Sequence, residues 1–300
     1  MQRKKTLLNG RIKGYLKGYL FILPNFIGFF VFLLLPIIMG FVISLTNYDG
    51  YKKFDFVGLT NYMNMFKDDY VLVSLKNNII YTVVTVPAII VLALLLACGL
   101  NAGLKSTGFF RALFFFPTIS SMVAVGIVWS LLFNPTQGPV NQLLMAVGIS
   151  SPPKWLASTK WALWAVMIVA IWKQAGYYMI MLLSGLQSIP QQLYESAKVD
   201  GANAFVRFFK ITIPMLSPTL FMVIILNIIN SFQVFDLIAV MTEGGPGRAT
   251  NVLVYRIYQE GFKYSKMGYA SSIAYFLFLI IFVVTMIQFR GQKKWVTYME

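Results

Sequence analysis

Gln191 to Pro214 reads QQLYESAKVDGANAFVRFFKITIP, the longest amphipathic stretch set between two hydrophobic runs. Ser188-Ile189-Pro190-Gln191 predicts a helix start, with Ser188 as N-cap, a proline in the first turn and Gln191 at the capping-box position. Leu193, Ala197 and Val199 give a short apolar face, with Glu195 and Lys198 off it. Asp200-Gly201 then predicts a sharp turn, because glycine tolerates positive φ. A second helix is expected through Phe205, Phe208 and Phe209, ended by Ile211-Thr212-Ile213-Pro214 ahead of the next apolar run. Two short helices at a sharp angle on a membrane face make a shape that plugs into a partner.

The runs on either side set the class. The chain of 300 residues is 58% hydrophobic and 12% charged, with a mean hydropathy of +0.71. A soluble domain carries about a quarter charged residues. The formal charge of +15 sits between apolar runs, where it sets topology and meets anionic lipid. A nucleic-acid partner is therefore not expected. Cys98 is the only cysteine, so no intramolecular disulfide forms, and it is expected to be packing. The absence of histidine removes His-based metal sites and His-based catalysis together.

Six spans are expected in an all-α membrane bundle occupying residues 19–290. A basic arm, residues 1–18, precedes them, and a tail, 291–300, follows. Residues 18 to 48 carry no charge, a run too long for a signal-peptide core of about 7–15 residues. The spans are placed at 19–45, 78–100, 112–133, 161–185, 218–241 and 268–288, with Pro24 and Pro36 bending the first and Pro87 the second. Residues 46–76 form a polar segment. Val140–Val147 is too short to cross, and Trp155 is expected as an interfacial loop aromatic. Both termini then share a side, which holds 14 Lys and Arg against 10 on the other. The arm should dominate and place that side, with the 188–214 loop, in the cytosol.

Glu195-Ser196-Ala197, three residues, Gly201, nine residues and Ile211-x-Ile213-Pro214 resemble the "EAA" loop of ABC importer permeases. Ser196 stands where that pattern usually has alanine, and Ile213 where it has leucine. Both departures keep size and polarity close. The resemblance covers nearly the whole chain: Leu23-Pro24-Asn25, Val57-Gly58-Leu59-x-Asn61-Tyr62, Phe109-Phe110-Arg111, Leu132-Phe133-Asn134-Pro135, and Thr242-x-Gly244-Gly245-Pro246. Together these are similar to the maltose/glycerol-phosphate-type permeases of carbohydrate importers. The resemblance implies a six-span type I importer fold with a cytoplasmic coupling helix, in a bacterial or archaeal cytoplasmic membrane. It implies a second homologous permease, an ABC ATPase dimer and an extracytoplasmic sugar-binding protein or lipoprotein. ATP and Mg would sit on the ATPase and no cofactor on this chain, which has no Gly-x-x-x-x-Gly-Lys-Ser/Thr. The coupling candidates it implies are Glu195, Ser196, Ala197, Asp200, Gly201, Ile211 and Pro214.

Within the spans, Lys173 falls near mid-bilayer, where a lysine costs about 2.5–3.5 kcal/mol and must face protein or water. Asp236 is the only acid in an expected span, so a Lys173–Asp236 contact is one expectation. Asn227, Asn230 and Ser231 share a helix face, with Gln233 beyond them. Such a stripe either joins helices, at about 0.6 kcal/mol per bond, or lines a cavity and bonds hydroxyls. Trp172, Gln174 and Tyr177 are the stacking and hydrogen-bonding candidates on the fourth span. An ion-coupled carrier or channel is the alternative, although one intramembrane acid leaves few coupling sites. An enzyme is poorer still, for want of paired carboxylates or a nucleophile–base pair.

Overall fold

The computed structural model describes residues 18–102 and 106–297. The expected arm lies outside the described residues except for Gly18, as do residues 298–300 of the expected tail. Among the described residues the fold is helical, with one isolated antiparallel bridge between Thr46 and Phe56. The helices are α1 (Gly18–Ser44), α2 (Thr60–Met65), α3 (Asp69–Asn101), α4 (Thr107–Ile119), α5 (Met122–Leu132), α6 (Pro139–Ala146) and α7 (Ala162–Gln187). There follow α8 (Gln191–Val199), α9 (Ala204–Arg207), α10 (Ile213–Phe232), α11 (Asp236–Met241), α12 (Leu253–Tyr258) and α13 (Met267–Gln292). Among the described residues, α1, α3, α7, the Ala204–Met241 run and α13 are long and apolar enough to cross a membrane.

The third expected span, 112–133, is not one helix. The chain is helical from Thr107 to Ile119, breaks at Ser120-Ser121, and resumes at Met122 with its axis turned by 95°. Both serines are extended, with ψ of 146° and 136°. Pro117, expected near the start of a span, instead lies in the last turn of α4. Counted as one bent crossing, α4 and α5 bring the number of crossings to six.

The centre is the pair α3 and α7, which run parallel. Tyr81 early in α3 shares an apolar cluster with Val166 and Ala170, early in α7. Ala93 and Ala97 share a second cluster with Leu182 and Leu186, near the end of α7 and joined by Leu216 of α10. Such small residues let backbones approach in lipid, where packing rather than water exclusion holds helices together. A third cluster joins Met65, Val71 and Phe232 to Ile273 and Leu277 of α13. The start of α3 at Asp69, ahead of residue 78, has a local cause. The Asp68 carboxylate accepts the Tyr70 N–H at 2.8 Å, satisfying one of the free donors of the first turn.

Two other expectations are corrected. Ser188 does not cap α8; its Oγ donates to the Gly185 carbonyl at 2.8 Å and so finishes α7. Trp155 is not an interfacial loop residue. It is buried, its Nε1 donates to Asn141 Oδ1 at 2.6 Å, and its ring lies 4.8 Å from that of Phe133. The indole is apolar apart from that one donor, so a single buried acceptor suffices to place it in the core.

The second short helix also fails to stop at Pro214. After α9 the chain makes a π-turn over Phe208–Thr212, with the Ile213 N–H bonded to the Phe208 carbonyl, and passes straight into α10. Pro214 has no N–H for the Lys210 carbonyl and would clash with it in an α-helix. Widening the turn by one residue relieves this, so the proline is accommodated rather than terminating. Pro36 shows the same solution, preceded by a π-turn over Phe30–Leu34.

Candidate functional site

Lys173 is buried on α7, and its ammonium faces the end of α4. Nζ donates to the carbonyls of Pro117 at 3.0 Å, Thr118 at 3.2 Å and Ser120 at 2.7 Å. These are carbonyls that a helix leaves unpaired at its C-terminus, where the helix dipole also favours a cation. An ammonium has three protons, and all three are used. Thr118 Oγ1 donates back to the Lys173 carbonyl at 3.1 Å. Gly176 lets the two backbones meet, because a Cβ there would stand 2.0 Å from the Phe114 oxygen. The expected Lys173–Asp236 ion pair does not form: no such pair lies within 4.0 Å among the described residues. Asp236 instead opens α11 after the chain breaks at Gln233–Phe235, at a helix start that favours an acid.

Both residues border one cavity of about 350 Å³. Gln174 and Tyr177 of α7 and Asn230 and Gln233 at the end of α10 supply most of its polar wall. Asn230 Nδ2 also donates to Tyr178 Oη at 3.1 Å. The polar stripe on α10 therefore divides. Asn227 and Ser231 are buried against α3, with Ser231 Oγ 2.9 Å from Thr82 Oγ1 and Asn227 Nδ2 3.5 Å from the Val86 carbonyl. Trp172 is not in the cavity wall; its ring meets Trp129 edge-on at 5.5 Å. Tyr81, Thr118 and Met122 also line it, with Val234, Phe235 and Leu237 around Asp236. Sequence reasoning did not single out Tyr81, Thr118 or Met122, and the last two flank a break that hydropathy does not mark.

At the opposite end of α10 stands the 188–214 loop. Gly201 adopts φ of +75°, as the Asp200-Gly201 turn requires. Glu195, Ser196, Asp200 and Gly201 are exposed, Ala197 is half-buried, and Glu195 makes no ion pair among the described residues. Beside them stand Val199 at 88% and Phe205 at 72% exposure, an apolar rim for a surface that also offers charge. Ile211 and Pro214 are separate from this face: Ile211 lies in the π-turn and Pro214 in the first turn of α10, both half-buried.

The end of the bundle away from that loop holds a buried ionic network that the sequence reading did not anticipate. Arg256 pairs with Asp68 at 3.2 Å and with Glu260 at 2.5 Å, and Lys266 lies 3.6 Å from Glu260. Burial opposes ionisation of Asp68. Hydrogen bonds from Tyr269 and the Tyr70 N–H, with the Arg256 charge, outweigh it and hold the carboxyl below its usual range. Asn77 and Asn78 staple the 248–253 segment to α3: Asn77 Nδ2 donates to the Arg248 carbonyl at 3.0 Å, and Asn78 Oδ1 accepts the Leu253 N–H at 2.8 Å. The i,i+4 spacing of Arg256 and Glu260 was the one sequence signal for this network.

Comparison with known proteins gives concordant results. The sequence profile of the binding-protein-dependent transport system inner membrane components matches residues 72–295. The probable ABC transporter permease protein YesP of Bacillus subtilis is 37% identical over 290 residues, which cover 95% of this chain and 93% of that protein. The lactose transport system permease protein LacF of Rhizobium radiobacter is 36% identical, with 96% and 99% covered. A solved bacterial ABC transporter involved in the import of the acidic polysaccharide alginate shares the fold. It gives a TM-score of 0.80 at 24% identity, over 96% of this chain and 98% of that one.

Proposed function

Because the chain belongs to the family of binding-protein-dependent transport system inner membrane components, we propose that it forms one half of an import path for a sugar or oligosaccharide, driven by a separate ABC ATPase. The observation that carries this reading is the placement of two unlike sites on one helix. The base of α10 continues from the exposed loop, and its far end supplies Asn230 and Gln233 to the polar cavity. The neutral amides of Gln174, Asn230 and Gln233 beside the Tyr177 ring, with Lys173 and Asp236 at the border, suit a polyhydroxylated substrate, which offers many hydroxyls and apolar C–H faces. The relatives named for lactose and for trehalose/maltose support that substrate class.

In this reading α8 and its exposed rim dock on the ATPase, and Glu195 meets a cation there. ATP-driven closure of the ATPase pair rocks this chain against a second homologous permease and alternates access to the cavity. An extracytoplasmic binding protein delivers substrate to the end that holds Arg256 and Asp68. A solved alginate transporter in complex with its pentasaccharide-bound periplasmic protein supports such a partner. Both termini and the 188–214 loop then face the cytosol. The test is uptake into vesicles containing the complete complex, supplied with loaded binding protein. ATP-dependent uptake that survives ionophores is expected. Uptake abolished by ionophores and indifferent to ATP would replace this reading with an ion-coupled carrier.

A further inference from the structure

The nine residues of α8 rest lightly on the bundle. Tyr194 and Ala197 are half-buried, Leu193 is 38% exposed, and no residue of it is buried. Among the described residues, the sole side-chain hydrogen bond from α8 to the rest of the chain joins Tyr194 Oη to Thr212 Oγ1, at 3.0 Å. Thr212 is buried and closes the π-turn, and its Oγ1 also reaches back to the Arg207 carbonyl at 3.4 Å. That offset of five residues is the same as that of the backbone bond from Ile213 to Phe208. The Tyr194 ring packs with Ile213 and Met215 around the cluster that holds Leu186 and Leu216.

The covalent route from α8 to α10 is a pliant one. It runs through the Gly201 turn at φ +75°, then through Ala202 and Asn203 before α9 begins. A push on α8 delivered along that route would be absorbed by the turn. The Tyr194–Thr212 pair bypasses it and grips the chain where the helical ladder is already opened by Pro214. A helix bends most readily at such a point, since one hydrogen bond is missing and the turn is wide. Beyond it α10 continues as one helix to Phe232, with Pro218 in its second turn, and Asn230 lies 18 residues from Thr212, about 27 Å along a helix. A tilt applied at the π-turn is thereby carried to the cavity wall.

We propose that the Tyr194–Thr212 hydroxyl pair, seated on the π-turn, is the joint that delivers movement of α8 to α10. This rests on the reading of α8 as the ATPase-docking helix. Both are positioning residues, whose role is to keep hydrolysis and import in step.

The experiment uses the complete complex in liposomes, with loaded binding protein and ATP. It measures substrate imported and ATP hydrolysed in the same sample. The variants are Tyr194→Phe, Thr212→Val, the double variant and Thr212→Ser. Each single variant is expected to raise ATP consumed per substrate imported by roughly fivefold, the effect of losing one hydrogen bond. The double variant should be no worse than either single, since both remove one link. Thr212→Ser keeps the hydroxyl and should keep the wild-type ratio, and co-purification of the ATPase should be unchanged throughout. A wild-type ratio in both single variants overturns the joint, as do additive effects or a loss of ATPase binding that accounts for the defect. Failure of the wild-type complex to show ATP-driven uptake overturns the proposed function, and the joint with it. A normal wild type with normal variants overturns the joint alone.

Discussion

Lys173 gives all of its ammonium protons to the carbonyls of Pro117, Thr118 and Ser120, and this explains how a lysine is tolerated so deep in an apolar helix. Its chemistry is architectural: it holds the end of α4 against α7 at the place where the chain turns toward α5. Lys173→Met leaves those carbonyls without their donor and should cost about 1.5–3 kcal/mol, the worth of hydrogen bonds to a charged group. Thermal unfolding of the purified complex should show a lowered midpoint; an unchanged midpoint would mean that the break holds without its cap. Asn230 and Ser231 are neighbours with different duties. Asn230→Leu removes a polar group from the cavity and should impair uptake while the complex purifies intact. Ser231→Ala removes the bond to Thr82, so stability should fall by about 0.6 kcal/mol with uptake retained. Parallel uptake and melting measurements on the two variants check this, and a reversed pattern would put Ser231 in the path and Asn230 in the packing.

At the scale of elements, the loop from α8 through α10 is one lever with two kinds of joint. Gly201 supplies a turn that only glycine adopts at low cost, since a β-branched residue at φ +75° is an outlier. A side chain there would meet nothing within 4 Å, so the strain of Gly201→Val is conformational and not a clash. That variant should misplace α8 and reduce co-purification of the ATPase. Glu195→Lys leaves helix propensity nearly unchanged and reverses one exposed charge. It should lower stimulated ATP hydrolysis and transport with normal membrane insertion. Wild-type docking and hydrolysis in both variants would show that α8 is not the coupling element. The π-turns ahead of Pro36 and Pro214 belong to the same scale: each proline was legible, but the widened turn that absorbs it was not.

For the whole molecule, the parallel run of α3 and α7 puts the 188–214 loop at one end and the Arg256 network at the other. Orientation in the membrane then follows from charge, with the loop predicted to face the cytosol and residues 46–76 the outside. Single cysteines at Asp200 and Asp55, both exposed, can be introduced in a Cys98→Ser background. An impermeant thiol reagent added to intact cells should label position 55 and spare position 200. The opposite pattern would invert the topology and remove the loop from any cytosolic partner.

Hydropathy and the 188–214 pattern were enough to specify an all-helical membrane bundle and the Gly201 turn. Each depends on short-range properties: transfer of apolar side chains to lipid, helical hydrogen bonds within one segment, and the φ range of glycine. What tertiary structure decided are the features that need a partner distant in sequence. The 95° break at Ser120-Ser121 is held by Lys173 on another helix, so residues 112–133 look continuous in sequence and are not. The surroundings of Asn227, Asn230 and Ser231 also came from the fold: Asn227 and Ser231 face α3, while Asn230 faces the cavity and Tyr178. Tyr194 and Thr212 carry no sequence signal at all. Eighteen residues separate them, and only the folding back of α10 beneath α8 brings the two hydroxyls within bonding distance.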